Sequence, residues 1–231
     1  MEKKEFPNIK EIPNVEADFK PQGSGFSEKI AGFSNKAFGI IKLILGISLL
    51  PFVYSVSAIF LKEFSVTREA LQGYFWSGVI SFLVIYLIIW EPAIIYTKGH
   101  RLLELIFQFF KPMVRVAPYL LPIYTIVLLI IYEILSLTVK SSWLIDYMVF
   151  LFGFSIVLHL VFSAKSIRSK KGDFLKANYI FGFSFIYIIN MLLLAFCLNL
   201  ILKEFSFVRF FNGSFQFAKD IFYAVFKQLF L

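Results

Sequence analysis

After a polar opening, the chain runs as long apolar stretches separated by short charged ones. Five stretches, 37–61, 74–96, 118–137, 143–163 and 178–202, are each about as long as the ~20 apolar residues a helix needs to cross ~30 Å of hydrocarbon. They are unbroken, without the in–out alternation of a barrel strand, so the pattern predicts transmembrane helices. The last stretch differs. Gln216, Lys219, Asp220, Tyr223 and Lys227 recur at helical spacing among phenylalanines and aliphatic residues. This predicts a C-terminal amphipathic helix, with Ser214 as its N-cap, lying flat on the bilayer. A sixth helix packed onto the bundle is the alternative. Upstream, Pro7, Pro13, Pro21 and the Gly23-Ser24-Gly25 turn predict a disordered tail, relieved by a short interfacial piece around 26–33. The expected organisation is therefore a polar tail over 1–36, a five-helix transmembrane domain over 37–202 and an interfacial helix over 203–231.

Composition agrees. Hydrophobic residues make up 59% of the chain and charged ones 16%, against ~45–50% and ~25% in soluble domains. The mean hydropathy is +0.78. A soluble fold of 231 residues has no means of covering that much apolar surface. The fold class is an all-α integral membrane protein. Lone Cys197 forms no intrachain disulfide.

The net charge of +8 sits largely in two loops. One carries Lys98, Arg101, Lys111 and Arg115 against Glu104; the other carries Lys165, Arg168, Lys170, Lys171 and Lys176 against Asp173. Five spans place both loops on the side of the N-terminus. The positive-inside rule then predicts a cytoplasmic N-terminus in an inner or plasma membrane of bacterial type. The lipid bilayer is the first partner this implies. No Gly-rich aromatic motif or Arg-rich run suggests nucleic acid.

Ionisable and amide groups inside the apolar stretches are the candidate functional residues, because burying them in hydrocarbon is expensive. Lys42 lies one turn inside the first span and is expected to snorkel to the interface. Glu91, Glu133 and Asp146 lie near span ends, His159 lies deeper, and Asn190 lies in mid-span. Pro118 and Pro122 bracket the start of the third span, preceded by an apolar piece, 102–110, too short to cross. Proline inside a helix removes a backbone hydrogen bond, and irregular backbone at membrane depth usually lines a cavity. The region 99–122 is the most unusual in the chain.

Three segments together resemble a branch of the site-2-type, membrane-embedded zinc metalloproteases. The first is Gly99-His100-Arg101-Leu102-Leu103-Glu104, standing where that branch has Gly-His-Glu-Leu-x-His. The second is Ala117-Pro118-Tyr119-Leu120-Leu121-Pro122-Ile123-Tyr124, similar to its Ala-Pro-Tyr-x-x-Pro-x-Tyr segment. The third runs from His159-Leu160-Val161-Phe162-Ser163 through Asp173 to the helix bearing Asn190. The resemblance covers roughly 90–200.

It implies a helical membrane fold and a zinc site, but this sequence departs from the pattern where the chemistry lies. The family needs two histidines one turn apart and a glutamate beside the first as general base. Here Arg101 stands in the place of the glutamate and Glu104 in that of the second histidine. Arginine stays protonated and accepts no proton from water. The loop with strand character that the family often carries is missing from the short 99–117 stretch. The resemblance thus implies a catalytically degenerate relative, without a cofactor, that binds other membrane proteins, peptides or a second copy of itself. Two alternatives stand beside it. One is a small transporter or channel subunit using Glu91, Glu133, His159 and Asn190. The other is an altered metallohydrolase with zinc on His100, Glu104 and Asp173. Locally, Arg101 and Glu104 are also spaced to pair across one turn of a juxtamembrane helix.

Overall fold

The computed structural model describes residues 24–89, 92–139, 141–169 and 179–230, and among them every regular element is helical. In chain order these are α1 (Ser24–Phe64), α2 (Glu69–Val84) prolonged by a π-helical turn Ile85–Ile89, α3 (Ala93–Ile106) and α4 (Lys111–Leu120). Then come α5 (Ile123–Ser136), α6 (Ser142–Ser169), α7 (Tyr179–Ile201) and α8 (Phe207–Phe230). Four segments are long and apolar enough to cross a membrane: Phe38–Phe64, Glu69–Ile88, Trp143–Arg168 and Tyr179–Ile201.

The boundaries differ from the apolar runs wherever proline or a cap intervenes. α1 opens at Ser24, inside the stretch expected to be a disordered tail. Phe26, Ile30 and Phe33 continue the helical spacing of the first span upstream, and each of the two glycines there, Gly25 and Gly32, costs only about 1 kcal/mol. The 74–96 run ends early, at the π turn, and Pro92 caps a separate helix α3. The 118–137 run is split at Pro122, leaving α5 with 14 residues, about 21 Å. The remaining residues of the expected tail, 1–23, lie outside the described residues.

The bundle is organised by one close crossing. A Cβ on Gly78 of α2 would stand 2.0 Å from the Phe150 carbonyl oxygen of α6, and a Cβ on Gly153 of α6 would stand 2.2 Å from that of Phe75 on α2. Each glycine lies one helical turn after the phenylalanine whose carbonyl the other glycine faces. The two backbones touch directly, the packing mode that works where lipid removes any hydrophobic advantage of helix association. Around this crossing lie Phe60, Phe64 and Phe75, with ring centroids 5.0–6.1 Å apart. Outside it, Ile40, Ile44, Tyr54 and Leu87 are exposed.

α8 starts earlier than its sequence suggests. Asn199 Oδ1 accepts from Phe207 N–H at 2.9 Å and Ser206 Oγ accepts from Arg209 N–H at 3.3 Å, so Ser206 is the cap. Ser214, expected to be the cap, is buried in mid-helix, and its carbonyl accepts from Ser55 of α1. From there α8 runs antiparallel along α1. Arg209 pairs with Glu63 at 3.1 Å, Phe210 stacks edge-on to Phe60, Gly213 meets Ile59, and Phe217 and Phe222 meet Tyr54 and Phe52.

Lys42 departs from its snorkelling expectation: it is only 4% exposed and lies within the protein.

The crossing makes a signed prediction. Gly78→Ala and Gly153→Ala force backbone against backbone and should each destabilise the detergent-solubilised protein by about 1–3 kcal/mol or more. Gly73→Ala on the same α2 meets nothing within 4 Å. It should be neutral or stabilise by up to about 1 kcal/mol through helix propensity. Thermal unfolding followed by circular dichroism reads the difference. Equal losses at positions 73 and 78 would refute the crossing.

Candidate functional site

The sequence Ala117-Pro118-Tyr119-Leu120-Leu121-Pro122 sets the site. Leu121 precedes a proline and is extended, with φ −97° and ψ 120°. α4 therefore stops at Leu120 and α5 restarts at Ile123. In an unbroken helix, the Tyr119 and Leu120 carbonyls would accept from Ile123 and Tyr124. Here Ile123 N–H turns instead to the Leu121 carbonyl at 2.9 Å. These two carbonyls are thus released from the ladder, that of Tyr119 at a buried position and that of Leu120 at a half-buried one.

Neighbouring helices supply the missing donors. His159 Nε2 of α6 lies 3.0 Å from the Tyr119 carbonyl oxygen. A carbonyl only accepts, so Nε2 carries the hydrogen and the tautomer is fixed. Ser163 Oγ, one turn further on, lies 3.4 Å from the same oxygen, 3.3 Å from His159 Nε2 and 3.3 Å from the Tyr96 hydroxyl of α3. Asn190 Nδ2 of α7 donates to the Leu120 carbonyl at 3.2 Å and to its own helix at Ile186 O at 2.9 Å. Ser155 on α6 meets Thr125 of α5 at 2.8 Å. Ser155, His159 and Ser163 recur every four residues, forming one polar stripe on α6 that follows the broken helix. Tyr124 completes the clasp by donating its hydroxyl to the Ile95 carbonyl of α3.

α3 brings His100 to this cluster. The small Gly99 beside it leaves room for Ile123 and Tyr124, whose side chains would stand 2.8 Å from a Cβ there. The His100 ring lies edge-on to Tyr119 at 5.2 Å, and Tyr96 lies between it and His159 at 5.8 and 6.0 Å. His100 Nε2 is 3.4 Å from Glu104 Oε1, one turn along the helix. The expected Arg101–Glu104 pairing gives way to this His100–Glu104 contact, and Arg101 is exposed.

The fold therefore brings His100, Glu104, His159 and Asn190 to one broken helix. Glu133 is exposed on α5 and Asp146 half-buried on α6, and neither has a hydrogen bond among those described for the cluster. Glu91 and Asp173 lie outside the described residues. Among the described residues no three His, Cys, Asp or Glu side chains converge as a metal site. Of the expected set, His100 and Glu104 lie together on α3, and its third member, Asp173, is not among the described residues. His159 adds no ligand through Nε2, which is committed to the Tyr119 carbonyl. The residues that complete the cluster, Tyr96, Tyr119, Thr125 and Ser155, are not among the candidate functional residues that the sequence singles out, although Tyr119 stands in the proline motif. The pair Pro118 and Pro122 was the available signal, since each freed carbonyl demands a donor.

Comparison with known proteins finds no family model that matches the chain, no matching curated protein and no matching solved structure.

The carbonyl clasp predicts a coupled pair of substitutions. His159→Phe leaves the Tyr119 carbonyl short of its donor and should cost about 1–3 kcal/mol. Pro122→Ala allows the α4–α5 ladder to close, so that Ile123 can serve Tyr119 again. The double variant should then lose less than the sum of the two singles. Additive losses in thermal unfolding would show that His159 serves something else.

Proposed function

We propose that this chain is a non-catalytic, multi-pass membrane protein, a degenerate relative of the intramembrane metalloproteases, that binds another membrane-embedded protein or peptide. The reading has the N-terminus in the cytoplasm and five crossings, the fifth made by α4 and α5 together around their break. Three observations support the crossing. α5 runs along α6, with Thr125 against Ser155 and Leu128, Leu129 and Tyr132 in the same core as Val149 and Phe152. The α4–α5 break has its polar groups satisfied from within the protein, as a membrane break requires. A crossing there also returns both basic segments to one side.

One observation carries the binding role. α8 packs on α1 through Phe210, Ser214 and Ala218, and follows it from Glu63 back to Phe52. If α1 spans, α8 re-enters the bilayer beside it, the alternative to lying flat. Its far side then presents Gln216, Asp220, Tyr223 and Lys227, all exposed, at a spacing of four, three and four residues. Gln216 Nε2 donates to Asp220 Oδ1 at 2.8 Å, which leaves the rest of the stripe facing outward. Polar side chains persist at that depth against protein or water, not against acyl chains. A seam with coiled-coil spacing fits a helix from a partner.

The absence of peptidase chemistry follows from residue types. Arg101 holds the place of the general base, and His159 and Asn190 are engaged in holding the broken helix. The transport alternative draws on Glu91, Glu133, His159 and Asn190; of these, His159 and Asn190 have side-chain N–H groups on the Tyr119 and Leu120 carbonyls.

Two measurements test this. Purified protein should contain no stoichiometric metal by elemental analysis. About one zinc per chain, lost in His100→Ala, would restore the hydrolase reading. In a Cys197→Ala background, Lys227→Cys should resist a membrane-impermeant maleimide in intact liposomes. Labelling as fast as for a water-exposed control would place α8 flat on the surface and remove the basis for the membrane-depth seam.

A further inference from the structure

A second feature is a cavity of about 240 Å³ between α1, α2, α6 and α7. Its floor is made by Phe60, Phe75, Ile156, Met191 and Leu194, all buried. Its rim includes Leu61 and Trp76, which are exposed. The cavity therefore opens sideways, through the face that lipid touches. Ser57 on the wall lies seven residues before the end of α1, and Trp76 on the rim seven residues after the start of α2, each about 10 Å along its axis, so the cleft reaches below the headgroups of a ~30 Å hydrocarbon layer.

The wall has one polar pair, and its hydrogens are already used. Ser57 Oγ donates to the Val53 carbonyl at 2.7 Å. With that hydrogen committed, the 2.8 Å contact between Ser57 Oγ and the Tyr187 hydroxyl must be donated by Tyr187. No hydroxyl hydrogen is left for an occupant. A phosphate, carboxylate or carbonyl head needs a donor and finds none on this pair. A hydrocarbon chain needs none. The space exceeds the ~150 Å³ of an apolar cavity that stays dry and binds benzene.

We infer that this cleft is a binding site for the hydrocarbon chain of a bilayer lipid, entering between Leu61 and Trp76 and leaving its headgroup outside. The inference needs the membrane-spanning reading of α1 and is independent of the α8 seam.

The test uses the full chain in phosphatidylcholine liposomes containing a phosphatidylcholine with a mid-chain diazirine. After illumination, labelled residues are mapped by mass spectrometry. Met191 and Leu194 should be labelled at least as strongly as the outward-facing Ile80. Val79→Trp, and separately Leu160→Trp from the opposite wall, should exclude several methylenes and lower the Met191 and Leu194 labelling about tenfold, with Ile80 unchanged. Two variants guard against one misfolding, and retained helical content checks each. Labelling of the floor far below Ile80 would show an empty cleft and overturn the inference. Floor labelling unmoved by both folded variants would overturn it as well. A diazirine fatty acid that labels Tyr187 through a probe placed at its carboxyl end would show a polar-headed ligand instead, which also defeats it.

Discussion

A carbonyl group shut away from water has no solvent donor to turn to, and leaving one unsatisfied costs about 1–3 kcal/mol. The pair of prolines at 118 and 122 releases two such carbonyls, those of Tyr119 and Leu120. Much of the polar architecture of this protein answers that demand. His159 and Ser163 reach across from α6, and Asn190 reaches across from α7. Removing the break would leave these side chains buried without acceptors there; removing the side chains would leave the break untenable. The cluster is thus mutually determined, which is why the same residue types that suggest chemistry in a sequence act here as fasteners.

α6 can meet this demand because its other face is fixed independently. Gly153 lets it lie backbone to backbone against α2, while Ser155, His159 and Ser163 line the side toward α4 and α5. A side chain at 78 or 153 would push α6 outward, and donor distances near 3 Å do not survive such a shift. Core packing and polar satisfaction are therefore coupled through one helix. The same helix lends Ile156, Val157 and Leu160 to the lateral cleft, so the glycine crossing also shapes the surface that faces lipid.

The resemblance to the intramembrane metalloproteases rests on short motifs, and their described residues lie close together in the fold. His100 and Glu104 lie together on α3, and the proline segment and His159 meet where His100 stacks on Tyr119. What unites the three segments is the broken helix.

The sequence by itself determined that this chain is helical and apolar enough for a membrane, because runs of ~20 apolar residues leave few other structures possible. It also marked 99–122 as irregular, through proline chemistry that acts locally. It did not determine where α1 or α8 begins. Capping by Ser206 and Asn199, and continuation of a helix through Gly25, depend on competition among neighbours that no single residue reveals. Nor did it show which face of α8 packs, because an amphipathic helix can lie on a bilayer or against a bundle with the same pattern. Only the tertiary structure decided that Gly78 meets Gly153's helix, that Glu104 pairs with His100, and that His159 holds a carbonyl. Those contacts join residues on separate helices or choose between partners three and four residues away on one helix face, and periodicity along one helix carries no information about what stands opposite it.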